Sequence, residues 1–333
     1  MPRPIRILSI DGGGIRGIIP AMVLAELERK TGRPICKLFD LIAGTSTGGI
    51  LALALTKPDA AGSPEFSAAR LIELYEVEGE RIFSPAWHRW PIIGFLYDLF
   101  FVRYSARNIG RVLRQYFGDT RLSEAITPLL ITAYELEKRD PWLFRSEKAK
   151  IRPDHDFPMR QAAYATSAAP TYFPPLSLPR SPSPNGRGGQ GGRYALIDGG
   201  VYAQNPAMCA YVEAHTMYPD ARDFIIASLG TGETKQAIPY RNAKRWGVIG
   251  WARPILDVVF DGVSSTVDYE LDQLLAPAGG SKRHYRFQAE LEEGEDAIDD
   301  PSPANIQKLK GVARKLIAQN ETALTTLAAQ LAL

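Results

Sequence analysis

The sequence predicts an α/β fold with a mostly parallel central sheet in a three-layer α/β/α sandwich. Three observations carry that prediction. Apolar strand-like runs and helical runs alternate from the first residues onward. Two glycine-bounded turns, Asp11 to Gly17 and Gly44 to Gly48, each link a strand end to a helix start. With 333 residues, the chain is long for one domain but within reach of a large α/β unit.

The elements follow in order. Ile5–Ile10 is a first buried strand. After it comes Asp11-Gly12-Gly13-Gly14-Ile15-Arg16-Gly17, then an amphipathic helix over Ile18–Lys30. Three consecutive glycines leave backbone N–H groups with no side chains in front of them. Such a loop can cradle a phosphate or a transient oxyanion. Arg16 adds charge or braces the loop.

The next strand, Leu38–Ala43, contains Asp40 and runs into Gly44-Thr45-Ser46-Thr47-Gly48. This is a G-x-S-x-G elbow between a strand and an apolar helix, Gly48–Thr56. Gly44 and Gly48 let the serine adopt strained angles and project its hydroxyl. The helix N-terminus favours negative charge at the same spot. The turn suggests acyl transfer through a covalent serine intermediate.

Helices follow at Ala68–Glu78, Ala106–Phe117, Met159–Ser167, Asn205–Met217, Pro254–Leu275 and Pro303–Ala332. Strands follow at Leu129–Tyr134, Trp142–Arg145, Tyr194–Ile197, Phe224–Ser228 and Arg283–Gln288. The whole of 1–333 is expected to form one domain. Its chemical motifs fall within residues 5–232, and helices from 254–332 pack on it. The motif Asp198-Gly199-Gly200 closes the Tyr194–Ile197 strand. In isolation it reads as an ordinary Asp-Gly turn.

Taken together, these motifs resemble the patatin-like phospholipase family. Asp11 to Gly17 looks like its glycine-rich oxyanion motif, Gly44 to Gly48 like its serine elbow, and Asp198-Gly199-Gly200 like its aspartate motif. Ala168 to Phe173, Asn205-Pro206 and Ser228 to Gly232 match further along. The resemblance implies a patatin-like fold and a lipid acyl hydrolase of the phospholipase A or lysophospholipase type. It implies Ser46 as nucleophile, Asp198 as the group that activates it, and Gly12, Gly13 and Gly14 as the oxyanion hole. Arg16, Gly44, Gly48 and Gly199 are supporting positions. No cofactor and no metal are expected. Membrane lipids or other lipid esters are the expected substrates.

Two other function classes fit parts of the chain. Gly12-x-Gly14-x-x-Gly17 also matches the dinucleotide-binding fingerprint of a Rossmann-type oxidoreductase. That fingerprint wants an acid at the end of the second strand, where this chain has the Ser46 elbow. Some bacterial relatives of the family are membrane-degrading effectors switched on by a cyclic nucleotide, and these residues neither require nor forbid such a switch. A Ser-His-Asp triad is a further option. Of His88, His155, His215 and His284, the last two follow Asp198 in the chain order of an α/β-hydrolase. Neither has the loop setting of a triad base.

Two segments bear on access. Residues 179–192 hold almost no apolar side chain and read as a loop. It either flanks the site or is passive surface. Trp87 to Phe101 is rich in aromatics and poor in charge. Its composition suits peripheral contact with a lipid interface, a lid over an acyl pocket, and equally a buried core segment.

A net charge of +2 gives no case for nucleic-acid binding. The chain has no membrane-span run, and Met1-Pro2-Arg3-Pro4 leads into a strand without a signal-peptide pattern. The expected location is cytoplasmic, with peripheral membrane contact through 87–101. Cys36 and Cys209 have no metal or redox spacing. Oligomeric state is not legible.

Overall fold

A computed structural model describes residues 3–83, 102–179, 192–234, 237–251, 254–276, 282–292 and 297–332. The strands are β1 (Ile5–Ile10), β2 (Leu41–Gly44), β3 (Leu129–Glu135), β4 (Asp140–Arg145), β5 (Leu176–Pro179), β6 (Arg193–Asp198), β7 (Phe224–Leu229), β8 (Glu233–Thr234), β9 (His284–Phe287) and β10 (Glu290–Leu291). The principal helices are α1 (Ile18–Thr31), α2 (Thr47–Thr56), α3 (Ala68–Ile82), α4 (Ala106–Phe117), α5 (Ser146–Ile151), α6 (Met159–Ser167), α7 (Gly200–Ala203), α8 (Ala207–Met217), α9 (Pro254–Leu274), α10 (Pro303–Gln319) and α11 (Glu321–Ala332).

The core of the fold is a parallel run in the order β9-β7-β1-β2-β3. Side chains alternate across it, as a pleated strand requires. Leu8, Ile10, Ile42, Ile225 and Ala227 enter one apolar core, which α1, α2, α3, α6 and α10 complete. Ile7, Leu41, Ala43, Phe224 and Ile226 enter a second core beneath α8 and α9. Burial on both faces explains why these strands read as near-continuous apolar runs. The three-layer expectation holds.

Beyond β3 the sheet turns antiparallel. β4 occupies one edge of β3 along Leu130–Glu135. The other edge is shared end to end: β2 pairs with Leu129–Ile131, and β6 pairs antiparallel with Ala133–Glu135. Gly44 therefore faces Ile131 while Asp198 faces Ala133. The C-terminal ends of β2 and β6 meet head to head across Thr132.

Several boundaries differ from expectation. The long C-terminal helix is two helices broken at Asn320. Asp40 is not inside a strand: a 3-10 turn occupies Ile35–Lys37, and β2 starts at Leu41. The Asp40 carboxylate instead accepts bonds from Arg3 and from the Arg6 N–H. The 205–217 helix begins at Ala207: Asn205 precedes a proline, which disfavours helical angles there, and its side chain accepts the Ala207 N–H. The edge strand β5 and the pair β8–β10 are too short to show a periodic pattern. The proposed access segment 87–101, and 179–192 apart from its two end residues, lie outside the described residues.

Candidate active site

The elbow is strained as its glycines allow. Ser46 sits at φ 55°, ψ −124°, immediately before α2. A non-glycine residue with such angles is held there by its surroundings. The Ser46 N–H donates to Thr166 Oγ1 at 2.8 Å. Thr45 Oγ1 lies 2.7 Å from Thr132 Oγ1 and donates to the Ala203 carbonyl at 2.6 Å. A Cβ at Gly44 would strike the Gly48 carbonyl, and one at Gly48 would strike the carbonyl of Ile10. Only glycine lets α2 pack this close to β1 and β2.

Asp198 comes from the facing strand end. Its N–H donates to the Ala168 carbonyl at 3.1 Å, and its Oδ1 accepts from the Gly200 N–H at 2.7 Å. Gly199 lies against Thr132, with no room for a side chain. Ser46 and Asp198 line the same cavity. Burial pushes the Asp198 carboxyl up to about 7, against the opposing pull of the Gly200 N–H bond and of the nearby Ser46 hydroxyl. The acid is thus poised near neutrality.

The glycine loop follows β1. Gly14 takes φ 57°, and a Cβ there would meet the Ile298 carbonyl. The Gly12 N–H donates to the Gln204 carbonyl at 3.1 Å, and the Ile15 N–H to the Ile298 carbonyl at 2.9 Å. Gly12, expected as an oxyanion donor, is therefore already committed. The N–H groups of Gly13 and Gly14 have no acceptor among the described residues, and both residues line the cavity that holds Ser46. Arg16 lines it as well.

That cavity opens to solvent beside the elbow. Ser46, Thr47, Ser167, Asp198 and Gln204 are among its polar members. Ile50, Leu74, Ile82, Phe83, Ile109 and Phe173 form an apolar wall from α2, α3, α4 and the Ala169–Phe173 turn. This suits an acyl chain beside an ester carbonyl.

No described histidine lines the cavity. His215 packs against Tyr211 and Phe224. His155 is half-buried on the Trp142 ring. The His284 Nδ1 engages Asp272 at 2.8 Å. His88 lies outside the described residues.

Sequence reasoning missed three contributors. Gln204 holds Gly12, Thr166 holds Ser46, and Arg286 ion-pairs with Asp11 at 2.6 Å. Arg286 also reaches Ser228 Oγ and Ser264 Oγ, at 2.9 and 3.0 Å. Burial pushes the Asp11 carboxyl up, and the guanidinium pulls against it. Gln204 alone had a local signal, as it directly precedes Asn205-Pro206.

Comparison with known proteins bears on this geometry. The model of the patatin-like phospholipase family matches residues 8–211. Patatin-like protein 4 of Arabidopsis thaliana is 30% identical over 345 residues, covering 95% of this chain and 84% of its own. The chain belongs to the patatin-like phospholipase family. Patatin-like protein 2 of Oryza sativa subsp. indica is 31% identical, with 95% of this chain and 84% of its own covered. Among solved structures, VipD from Legionella pneumophila aligns over 96% of this chain and 67% of its own, at 12% identity and a TM-score of 0.40. Family membership supports lipid hydrolysis as the activity. It also sets aside the oxidoreductase reading of Gly12–Gly17. Among the described residues, no helix is long and apolar enough to cross a membrane.

Proposed function

We propose that this protein cleaves carboxylic esters of lipids with a Ser46–Asp198 dyad. The observation that carries the reading is the placement of Ser46, at φ 55°, and the buried Asp198 carboxylate on the wall of one largely apolar cavity. Asp198 takes the hydroxyl proton as Ser46 attacks the ester carbonyl. A base near 7 accepts that proton and can return it to the leaving alcohol. The acyl group stays on Ser46 while its chain lies along the Ile50–Phe173 wall. Asp198 then activates water for deacylation. Gly13 and Gly14 supply the oxyanion donors, and the start of α2 adds its dipole. Arg16 holds the loop or meets a phosphate headgroup.

The test is labelling by a fluorophosphonate probe, mapped by peptide mass. Label on Ser46, lost in Ser46→Ala and slowed in Asp198→Asn, is expected. Undiminished labelling of Ser46→Ala would refute the assignment.

The aromatic segment 87–101 is the proposed membrane contact, on composition alone. Replacing Trp90, Phe95 and Phe100 with serine should weaken liposome binding while sparing soluble esters. Unchanged liposome binding by the folded triple variant rejects it.

A further inference from the structure

A second group of polar side chains lies outside the cavity. Asp268 and Asp272 stand one turn apart on the same face of α9. His284 opens β9 opposite them and is only 3% exposed. Its Nδ1 lies 2.8 Å from Asp272 Oδ1. Its Nε2 is buried with no hydrogen-bond partner, and so is Asp268 Oδ1. These two atoms are 3.7 Å apart.

That distance is too long for a hydrogen bond. It is close to the spacing of two ligands on one ion: nitrogen and oxygen donors about 2.0–2.2 Å from a tetrahedral zinc stand roughly 3.5 Å apart. Buried polar atoms without partners are costly, and two facing each other call for one shared partner. We propose that Asp268 and His284 bind one divalent transition cation, with Asp272 orienting the imidazole.

The parts fit that assignment. The Asp272–Nδ1 contact is the one a metal-bound imidazole makes through its far nitrogen, and it leaves Nε2 as the donor. Imidazole and carboxylate together suit zinc better than magnesium or calcium. Two carboxylates balance the charge of a divalent ion. The Asp268 and Asp272 side chains are 35% and 61% exposed, so water can complete the coordination. Arg286, on the same face of β9, does not compete, because Asp11, Ser228 and Ser264 hold it. None of the three residues lines the Ser46 cavity. The ion ties α9 to the sheet and takes no part in ester cleavage.

The test uses the full chain, stripped with chelator and dialysed against zinc chloride. One zinc per chain is expected, with a melting temperature that rises and saturates with zinc. Asp268→Asn should lower the affinity at least 100-fold, and Asp272→Asn by about 10–100-fold. Cobalt(II) should give visible ligand-field bands that Asp268→Asn removes. His284→Gln should behave like Asp268→Asn; should it fail to fold, the partly exposed Asp268 decides alone. Absence of saturable uptake, or uptake unchanged in Asp268→Asn, overturns the proposal.

Discussion

Gln204 holds Gly12 at both of its backbone polar groups. Its main-chain carbonyl accepts the Gly12 N–H at 3.1 Å, and its side-chain Nε2 donates to the Gly12 carbonyl at 2.8 Å. Thr231 Oγ1 donates to the same carbonyl at 2.5 Å. The glycine loop is thus clamped by the segment that follows Asp198. Gln204→Leu keeps the main-chain bond and loses the side-chain one. It should lower kcat by up to about 10²-fold through misplaced donors, with little change in KM. Unaltered kcat would mean that the loop is rigid without this clamp.

Ser46 tests the elbow in two ways. Ser46→Ala and Ser46→Gly should both abolish hydrolysis of p-nitrophenyl esters. Alanine keeps the strain of φ 55°, whereas glycine relieves it. The glycine variant should therefore be the more stable of the two, by up to about 1–3 kcal/mol in denaturant unfolding. Near wild-type hydrolysis by either variant would remove Ser46 from the mechanism.

The Asp198 carboxyl stands at about 7 in the folded chain and near 3.8 otherwise. The folded state keeps a proton that the unfolded chain releases between those values. Its contribution to stability is full below about pH 4 and is lost as pH rises to about 7. Asp198→Asn carries no such loss. Its melting temperature should gain on wild type between pH 4 and 7 and hold that lead above. Wild-type kcat/KM should rise with pH through about 7, as the base ionises. Asp198→Asn should be nearly inactive throughout, while His215→Ala keeps most activity. A flat pH–rate profile across that range would argue for a different base.

Arg286 and Asp11 pair across 275 residues of sequence. Arg286→Met leaves a buried carboxylate without its cation, at a cost of about 3–5 kcal/mol near pH 7. The penalty should shrink in acid, where Asp11 takes a proton. The double variant Asp11→Asn, Arg286→Met should recover part of the loss. Equal destabilisation at pH 4 and pH 8 would show that packing, not charge, is what Arg286 provides.

The local structure around Ser46 was legible in the sequence because its cause is local. Glycines at 44 and 48 announce a tight strand-to-helix turn, and Asp11 to Gly17 a bare backbone loop. Apolar runs such as Ile5–Ile10 mark strands buried on both faces. Tertiary structure decided everything that depends on partners far along the chain. Ser46 and Asp198 meet only because β2 and β6 share one edge of β3, and strand pairing order is not encoded in any single segment. Gly12 drops out as a donor because Gln204, 192 residues later, occupies its N–H. The Asp198 carboxyl is pushed toward neutrality by burial, a property of the assembled fold rather than of an Asp-Gly-Gly string.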